Sequence, residues 1–357
     1  MIVGIDAKEL TKSKLESLGH ILVSIIKKMP EYKLLLLSDT PVPDKYIPQN
    51  ATNIIRGTTY AQGADLAKYQ WWMRRQAKKN NVDVLFQINH FSLFPIKGVK
   101  QITVVHDLYP LESIEHHSWA IKLQYRLCLF LTMLNSAVIY TVSDFSKGRL
   151  EHFFWKSSKI KVNYNGLEQP LVEAAKRPVE SDYILMLGRV CYWKGTLRVA
   201  ELYRKYLSDS GYKLIIAGKA DNEKSAEQLR DICNKCSNVI WLDYVSNEVR
   251  EALMQNCSLF LYASRYDGFG LPPIELALRG KKVLMQNTEV LQEVTRGKGV
   301  YVDFYGDDAI VVQCIRCALE NENSQQIESL RKIAQGYTWQ KNTDTLKKTI
   351  ADICKIV

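Results

Sequence analysis

The stretch Ser264-Arg265-Tyr266-Asp267-Gly268-Phe269-Gly270-Leu271-Pro272-Pro273-Ile274-Glu275 sets two carboxylates, with seven residues between them, around a glycine-rich turn and the start of a helix. The run before it, Cys257-Ser258-Leu259-Phe260-Leu261-Tyr262, is apolar and predicts a buried strand. Pro272 and Pro273 suit the first turn of a helix, where a missing N–H costs nothing. The loop Gly268-Phe269-Gly270-Leu271 therefore opens onto a helix N-terminus. Amides near Gly270 and Leu271, at the positive end of the helix dipole, favour a phosphate, and the glycines let it approach the backbone closely. Glu275, in the first helical turn, is then placed to accept hydrogen bonds from ribose hydroxyls, and Asp267 to hold a sugar across the loop. The plain alternative is a turn in which Glu275 steadies its own helix dipole and Asp267 faces water.

Upstream, Tyr183-Ile184-Leu185-Met186-Leu187-Gly188-Arg189 reads as a buried strand running into a turn, followed by Lys194-Gly195 and a helical segment from Thr196 to Leu207. Two fixed cations, Arg189 and Lys194, at the carboxyl end of a parallel strand can neutralise a leaving diphosphate, which is where open α/β sheets place their ligands. A metal would then be dispensable, and the chain has no Asp-x-Asp pair with which to hold one. A solvated pair of loop charges is the other reading of Arg189 and Lys194.

Together these segments resemble the retaining GT-B glycosyltransferases of family 4, also called glycosyltransferase group 1. The resemblance rests on Gly188-Arg189 with Lys194-Gly195, on Asp267-Gly268-Phe269-Gly270-Leu271-Pro272 with Glu275, and on Gly280 closing the helix. In that family both acidic residues are normally glutamates at this spacing; here the first is Asp267, one methylene shorter. The resemblance implies an α/β fold of two Rossmann-like domains facing a central cleft. Residues 1–168 would form the acceptor-side domain, 169–338 the nucleotide-sugar domain, and 339–357 a terminal helix crossing back to the first. The proline-containing stretch Leu167 to Ser181 is the expected linker.

Candidate strands agree with this division: 2–5, 33–37, 53–55, 83–88, 101–105, 137–142 and 160–164, then 182–187, 212–217, 238–242, 258–262, 282–285 and 300–302. Val104-Val105-His106-Asp107-Leu108 resembles the strand end that brings a histidine to the donor sugar in this family, which makes His106 a candidate at the reaction centre; a core or capping histidine is the alternative. Ser143 is placed as a helix N-cap, and Asn165-Gly166 resembles the family's structural pair before the domain crossover. Leu15, Leu18, Ile21, Leu22, Ile25, Ile26 and Met29 recur at helical spacing, and Gly19 among them matches the family's glycine beside the transferred sugar or else serves helix packing. The base is expected against Val239 to Val245, near Lys219 and Tyr244.

The implied activity is retaining, metal-independent transfer of a hexose from a nucleoside-diphosphate sugar to a glycan or polyprenyl-diphosphate-linked acceptor. No cofactor is implied. The His106-Asp107 strand end resembles bacterial mannosyl- and rhamnosyltransferases of surface polysaccharide and lipopolysaccharide synthesis, which favours GDP-mannose.

A chain of 357 residues, 46% hydrophobic and 24% charged, is long enough for two cores. Its net charge of +10 is uneven: residues 1–168 hold 22 Lys/Arg against 14 Asp/Glu, whereas 169–357 hold 26 against 24. A basic first domain suits an acceptor at an anionic membrane, met as a peripheral partner. The segment Lys68 to Lys79, with Tyr69, Trp71, Trp72, Arg74 and Arg75, either adds to that surface or is an ordinary helix with its tryptophans in the core. The greasiest run, Leu127 to Leu134, is too short to cross a bilayer, and the chain starts directly with a strand, so a cytoplasmic protein is expected. Cys233/Cys236 and Cys314/Cys317 fall in helical segments without knuckle turns, so zinc is not expected. A nucleic-acid-binding protein would explain the basic charge but leave the two loop constellations unused, and no such partner is expected. The first strand lacks a Gly-x-Gly-x-x-Gly turn, which argues against a dinucleotide enzyme. An epimerase of the same fold and a catalytically silent relative remain open.

Overall fold

The computed structural model describes residues 1–12, 15–58, 65–112, 118–170, 178–321 and 323–355. Much of the expected linker, 171–177, lies outside the described residues. The chain forms two compact units, one holding Met1–Glu112, His116–Gly166 and Tyr337–Val357, the other Leu167–Gly336.

Among the described residues the first unit carries β1 (Ile2–Asp6), β2 (Lys33–Ser38), β3 (Ala51–Ile55), β4 (Val84–Gln87), β5 (Lys100–Val105), β6 (Val138–Thr141) and β7 (Ile160–Val162). The second carries β8 (Tyr183–Leu187), β9 (Lys213–Ala217), β10 (Val239–Trp241), β11 (Leu259–Tyr262), β12 (Val283–Gln286) and β13 (Val300–Val302). Each expected strand is present, with ends shifted by a residue or two. Strands β4, β6, β8, β11 and β12 are buried along their whole length. Their near-continuous apolar sequence is what a parallel sheet covered on both faces requires.

All pairings are parallel: the orders are β3-β2-β1-β4-β5-β6-β7 and β10-β9-β8-β11-β12-β13. In each sheet the winding reverses once, between β1 and β4 and between β8 and β11. A crevice opens at the carboxyl ends of such a strand pair, where open α/β sheets bind ligands. The loops that matter are thus those after β1 and β4 in the first unit and after β8 and β11 in the second.

The terminal helix Trp339–Cys354 belongs to the first unit. Asn342 donates to the Tyr164 carbonyl at 2.8 Å, its own carbonyl accepts from Asn163 at 3.1 Å, and the Tyr140 hydroxyl meets that of Thr349. Gly166 explains the Asn-Gly pair: a Cβ there would lie 2.2 Å from the backbone nitrogen of Trp339. Backbone on backbone leaves no flexible group to yield. Gly166→Ala is expected to destabilise the first unit by about 2 kcal/mol, in the range of overpacked sites, read as a lowered urea midpoint. An unchanged midpoint would mean that the helix does not press on this turn.

The basic helix Asp65–Lys79 divides its aromatics. Tyr69 is fully buried and donates to Asp6 at 2.8 Å, whereas Trp71 is exposed, edge-on to Phe94 and stacked by Arg74. All eight cysteines are free, Cys236 stands one residue beyond the helix Glu223–Lys235, and the described residues hold no group of three or more metal-ligating side chains. No helix among the described residues is long and apolar enough to cross a membrane.

Candidate active site

In the second unit the site begins where β8 meets β9. Gly188 and Gly218 have φ of +130° and +154°, and a Cβ on Gly218 would sit 1.8 Å from the Gly188 carbonyl oxygen. With side chains excluded, the two loops run on side by side: the Gly188 N–H donates to Ala217 at 3.0 Å and that of Val190 to Lys219 at 2.8 Å. Arg189 is left exposed, and its guanidinium makes no hydrogen bond or ion pair among the described residues. The turn Tyr192–Lys194 then closes on Gly195, φ +69°, whose missing Cβ would lie 2.7 Å from the carbonyl of Ala263.

That close approach drops Lys194 onto the end of β11. Its ammonium pairs with Asp267 Oδ1 and donates to the Tyr262 hydroxyl at 3.3 Å, while that hydroxyl donates to Asp267 Oδ2 at 2.8 Å. Burial disfavours the lysine charge, but Asp267 and Tyr262 outweigh it and hold the ammonium above the usual range. Burial, reinforced by Asp267, raises the Tyr262 phenol, so it remains a donor. Two residues expected at different parts of a donor are therefore in contact, and Tyr262 joins them as a third member. Its only signal is a polar-tipped aromatic at the end of an apolar strand.

The following helix, Leu271–Leu278, starts from Gly270 in the left-handed region, φ +82°, with no side-chain cap. Pro272 and Pro273 have no N–H to give, and the amides of Gly270 and Leu271 have no protein acceptor among the described residues. They are the donors an anion would meet. The helix ends as the sequence suggests: Gly280 has φ +70°, and the amides of Gly280 and Lys281 return to Ala277 and Leu276 at 2.9 and 3.0 Å. Glu275 accepts from Arg250 at 2.5 Å. Below it Arg279 grips Glu251 with two nitrogens and donates to the Glu275 carbonyl at 2.8 Å. Arg250, Glu251 and Arg279 are a supporting set that the sequence did not reveal.

Lys219 and Tyr244 do come together, the ammonium 5.5 Å from the ring centroid, with Tyr244 exposed and Val245 half-buried. Trp241 fixes the turn beneath them by donating to Gly218 at 2.8 Å. Arg265 lies over the rings of Tyr305 and Tyr192, at 3.6 and 5.0 Å, and packs the loop after β11 against the turn that bears Lys194.

In the first unit the reversal between β1 and β4 gathers a buried polar cluster. Asp6, at the end of β1, accepts from Tyr69 and from Asn89 at 3.1 Å, with Lys8 and Glu9 buried just beyond. His106 is buried, and its Nε2 meets the Ile88 carbonyl at 3.1 Å. Its ring stands 5.3 Å from that of His90, which has φ +63° and meets the Tyr125 hydroxyl at 3.2 Å. Burial, then the other histidine, lowers His106 to about 3; burial, then Lys8, lowers His90 to about 4. Both rings are neutral near pH 7. Nothing local in Ile88-Asn89-His90 marks His90 in the sequence. Gly19 is buried: a Cβ would meet Leu15 at 2.8 Å and the Glu9 carbonyl at 3.1 Å, which is a packing demand. Ser143 caps the helix Asp144–Phe153, accepting from Ser146 at 3.0 Å.

Residues 169–336 match the family model for glycosyl transferases group 1, and residues 35–169 that for Glycosyltransferase Family 4. The chain belongs to the group 1 glycosyltransferases, with the GT-B fold. This glycosyltransferase is 26% identical over 290 residues to O-antigen chain mannosyltransferase B of Escherichia coli, a match covering 77% of this chain and 74% of that one. It is 25% identical over 238 residues to O-antigen chain mannosyltransferase RfbU of Salmonella typhimurium LT2, covering 66% of this chain and 65%, just under two thirds, of the relative. Its fold matches that of Anabaena HepE in complex with UDP at a TM-score of 0.76 and 16% identity, over 98% of this chain and 99% of the other.

Proposed function

We propose that this glycosyltransferase moves mannose from GDP-mannose to a glycan or polyprenyl-diphosphate-linked acceptor in surface polysaccharide synthesis, with retention of configuration and without a divalent metal. The observation that carries the reading is the Lys194–Asp267–Tyr262 cluster beside the unpaired Arg189 and the open amides of Gly270 and Leu271. Mannose is supported by the names of the two relatives, both O-antigen mannosyltransferases.

In this reading Arg189 and the two amides receive the diphosphate, and Lys194 stabilises the charge that develops on it, an electrostatic contribution that needs no reorganisation. Asp267, anchored through Lys194 and Tyr262, orients the sugar; Glu275, held by Arg250, takes the ribose; Lys219, Tyr244 and Val245 border the base. His106, neutral and buried, is the first unit's candidate for a role at the transferred sugar. Retention follows a front-face course. The bond from the anomeric carbon to the phosphate oxygen breaks, the acceptor oxygen bonds to that carbon on the same face, and the acceptor proton passes to the departing phosphate. The basic first unit brings the enzyme to an anionic membrane where the acceptor lies.

The test is turnover of GDP-mannose, with UDP-sugars in parallel, on lipid-linked oligosaccharide in the presence of EDTA, with the product linkage read by NMR. The expected result is GDP release that survives EDTA and an α-linked product from the α-linked donor. A β-linked product removes retention. Turnover lost in EDTA and restored by one divalent ion removes metal independence, and turnover of UDP-sugars alone replaces the donor.

A further inference from the structure

The helix Trp119–Asn135 is inverted relative to an ordinary surface helix. Its inner side is narrow, with Leu129, Thr132 and Met133 buried, while Trp119, Leu123, Leu127, Phe130 and Leu134 are 42–77% exposed. At 3.6 residues per turn these five fall within an arc of about 80° on the helix surface. Trp155, 40% exposed, sits edge-on to Phe130 at 5.9 Å and extends the apolar strip beyond the helix. Scattered exposed apolar residues are normal, but a continuous strip of this kind marks an interaction surface.

The charges around the strip indicate its occupant. From Ser118 to Asn135 the chain has Lys122 and Arg126 and no carboxylate; from Phe153 to Val162 it has Lys156, Lys159 and Lys161 and again none. Arg126 joins the two segments by donating to the Phe153 carbonyl at 3.4 Å. Apolar side chains with a tryptophan at one end, another against Phe130 and a cationic rim are what an anionic bilayer surface accommodates, the rings settling at the headgroup level. A second copy of the chain across a twofold axis would instead bring two sets of cations together.

We infer that the strip Trp119, Leu123, Leu127, Phe130 and Leu134, with Trp155 and the cations Lys122, Arg126 and Lys156, is a docking face for anionic lipid that seats the helix in the bilayer interface. This is a different surface from the basic helix Asp65–Lys79, and it deepens the proposed membrane association without depending on the donor. Apolar burial holds the protein on the lipid and the cations select anionic headgroups, so attraction weakens as ionic strength rises past about 0.15 M, where the Debye length is about 8 Å.

The experiment is flotation of the full chain with vesicles of phosphatidylcholine, with and without phosphatidylglycerol, for the wild type and for the double variant Leu123→Glu with Leu127→Glu. Both positions are exposed, so the variant should keep the wild-type melting curve and nucleoside diphosphate binding, which separates this question from that of transfer. The wild type should float with the anionic vesicles and the variant at least about tenfold less. Equal flotation of the two proteins, equal recovery on both vesicles, or none on either overturns the proposal. So does a wild-type dimer in sedimentation that the double variant converts to monomer, since the strip then serves a second copy.

Discussion

Lys194→Ala should lower kcat by about 100-fold or more while costing the fold only about 1–3 kcal/mol. The rate effect is that of removing one preorganised charge from a developing oxyanion. The stability cost comes from Asp267, which keeps only the Tyr262 hydroxyl among the described residues, and it stays below that of breaking a fully buried pair because Lys194 and Asp267 are 22% and 13% exposed. The double variant Lys194→Ala with Asp267→Asn should regain stability without regaining turnover. That non-additivity, measured by urea denaturation beside steady-state kinetics, separates the structural from the catalytic part of the pair. Asp267→Asn alone should impair transfer yet leave nucleoside diphosphate affinity nearly unchanged, whereas Glu275→Gln should weaken that affinity about tenfold, the size of one charge-assisted hydrogen bond. Wild-type kcat in Lys194→Ala would reduce the cluster to a structural ion pair.

The first unit should be acid-labile well before its carboxylates are all protonated. His106 and His90 titrate at about 3 and about 4 in the folded chain, below the ordinary 6.5. Between 6.5 and 4 the unfolded chain therefore binds protons that the folded one refuses. Stability from these groups is complete above pH 6.5 and is lost as pH falls towards 4. Each tenfold difference in proton affinity between the folded and unfolded chain is worth about 1.4 kcal/mol, so the two rings together account for a loss of more than about 3 kcal/mol. Asp6 acts in the opposite sense, since burial raises its pKa against the pull of Lys8. The measurement is therefore a comparison: urea midpoints from pH 7.5 to pH 4, with His106→Asn expected to give the flatter profile. Equal slopes would show that the imidazole is not held neutral. For the same reason, turnover should show no inflection from these two rings between pH 6 and pH 8.

Short-range physics made the frame of the second unit legible. Gly188, Gly195, Gly270 and Gly280 all adopt positive φ, and each sits where a strand, turn or helix must end or begin. The proline pair starts its helix, and Ser143 caps another, because such preferences are settled within a turn of chain. The expected strands were readable because every parallel strand buried on both faces writes the same apolar run.

What local pattern does not carry is which side chain answers which. Lys194 meets Asp267 across 73 positions of sequence, Arg250 meets Glu275 across 25, and Asn89 meets Asp6 across 83. The first depends on β8 lying beside β11 and the third on β1 lying beside β4, adjacencies set by sheet order, and the second on how the helices Asn247–Asn256 and Leu271–Leu278 come together. The helix Trp119–Asn135 makes the same point: its composition shows that it is apolar and too short to span a membrane, but not that its apolar side faces outwards. The sequence by itself determined the two α/β units, the family and the candidate loops, since these rest on spacing, turn residues and strand composition. Only the tertiary structure decided that Lys194 is engaged by Asp267 while Arg189 is open, and that His106 is neutral beside His90. Charge pairing and desolvation depend on what distant segments bring to the same place.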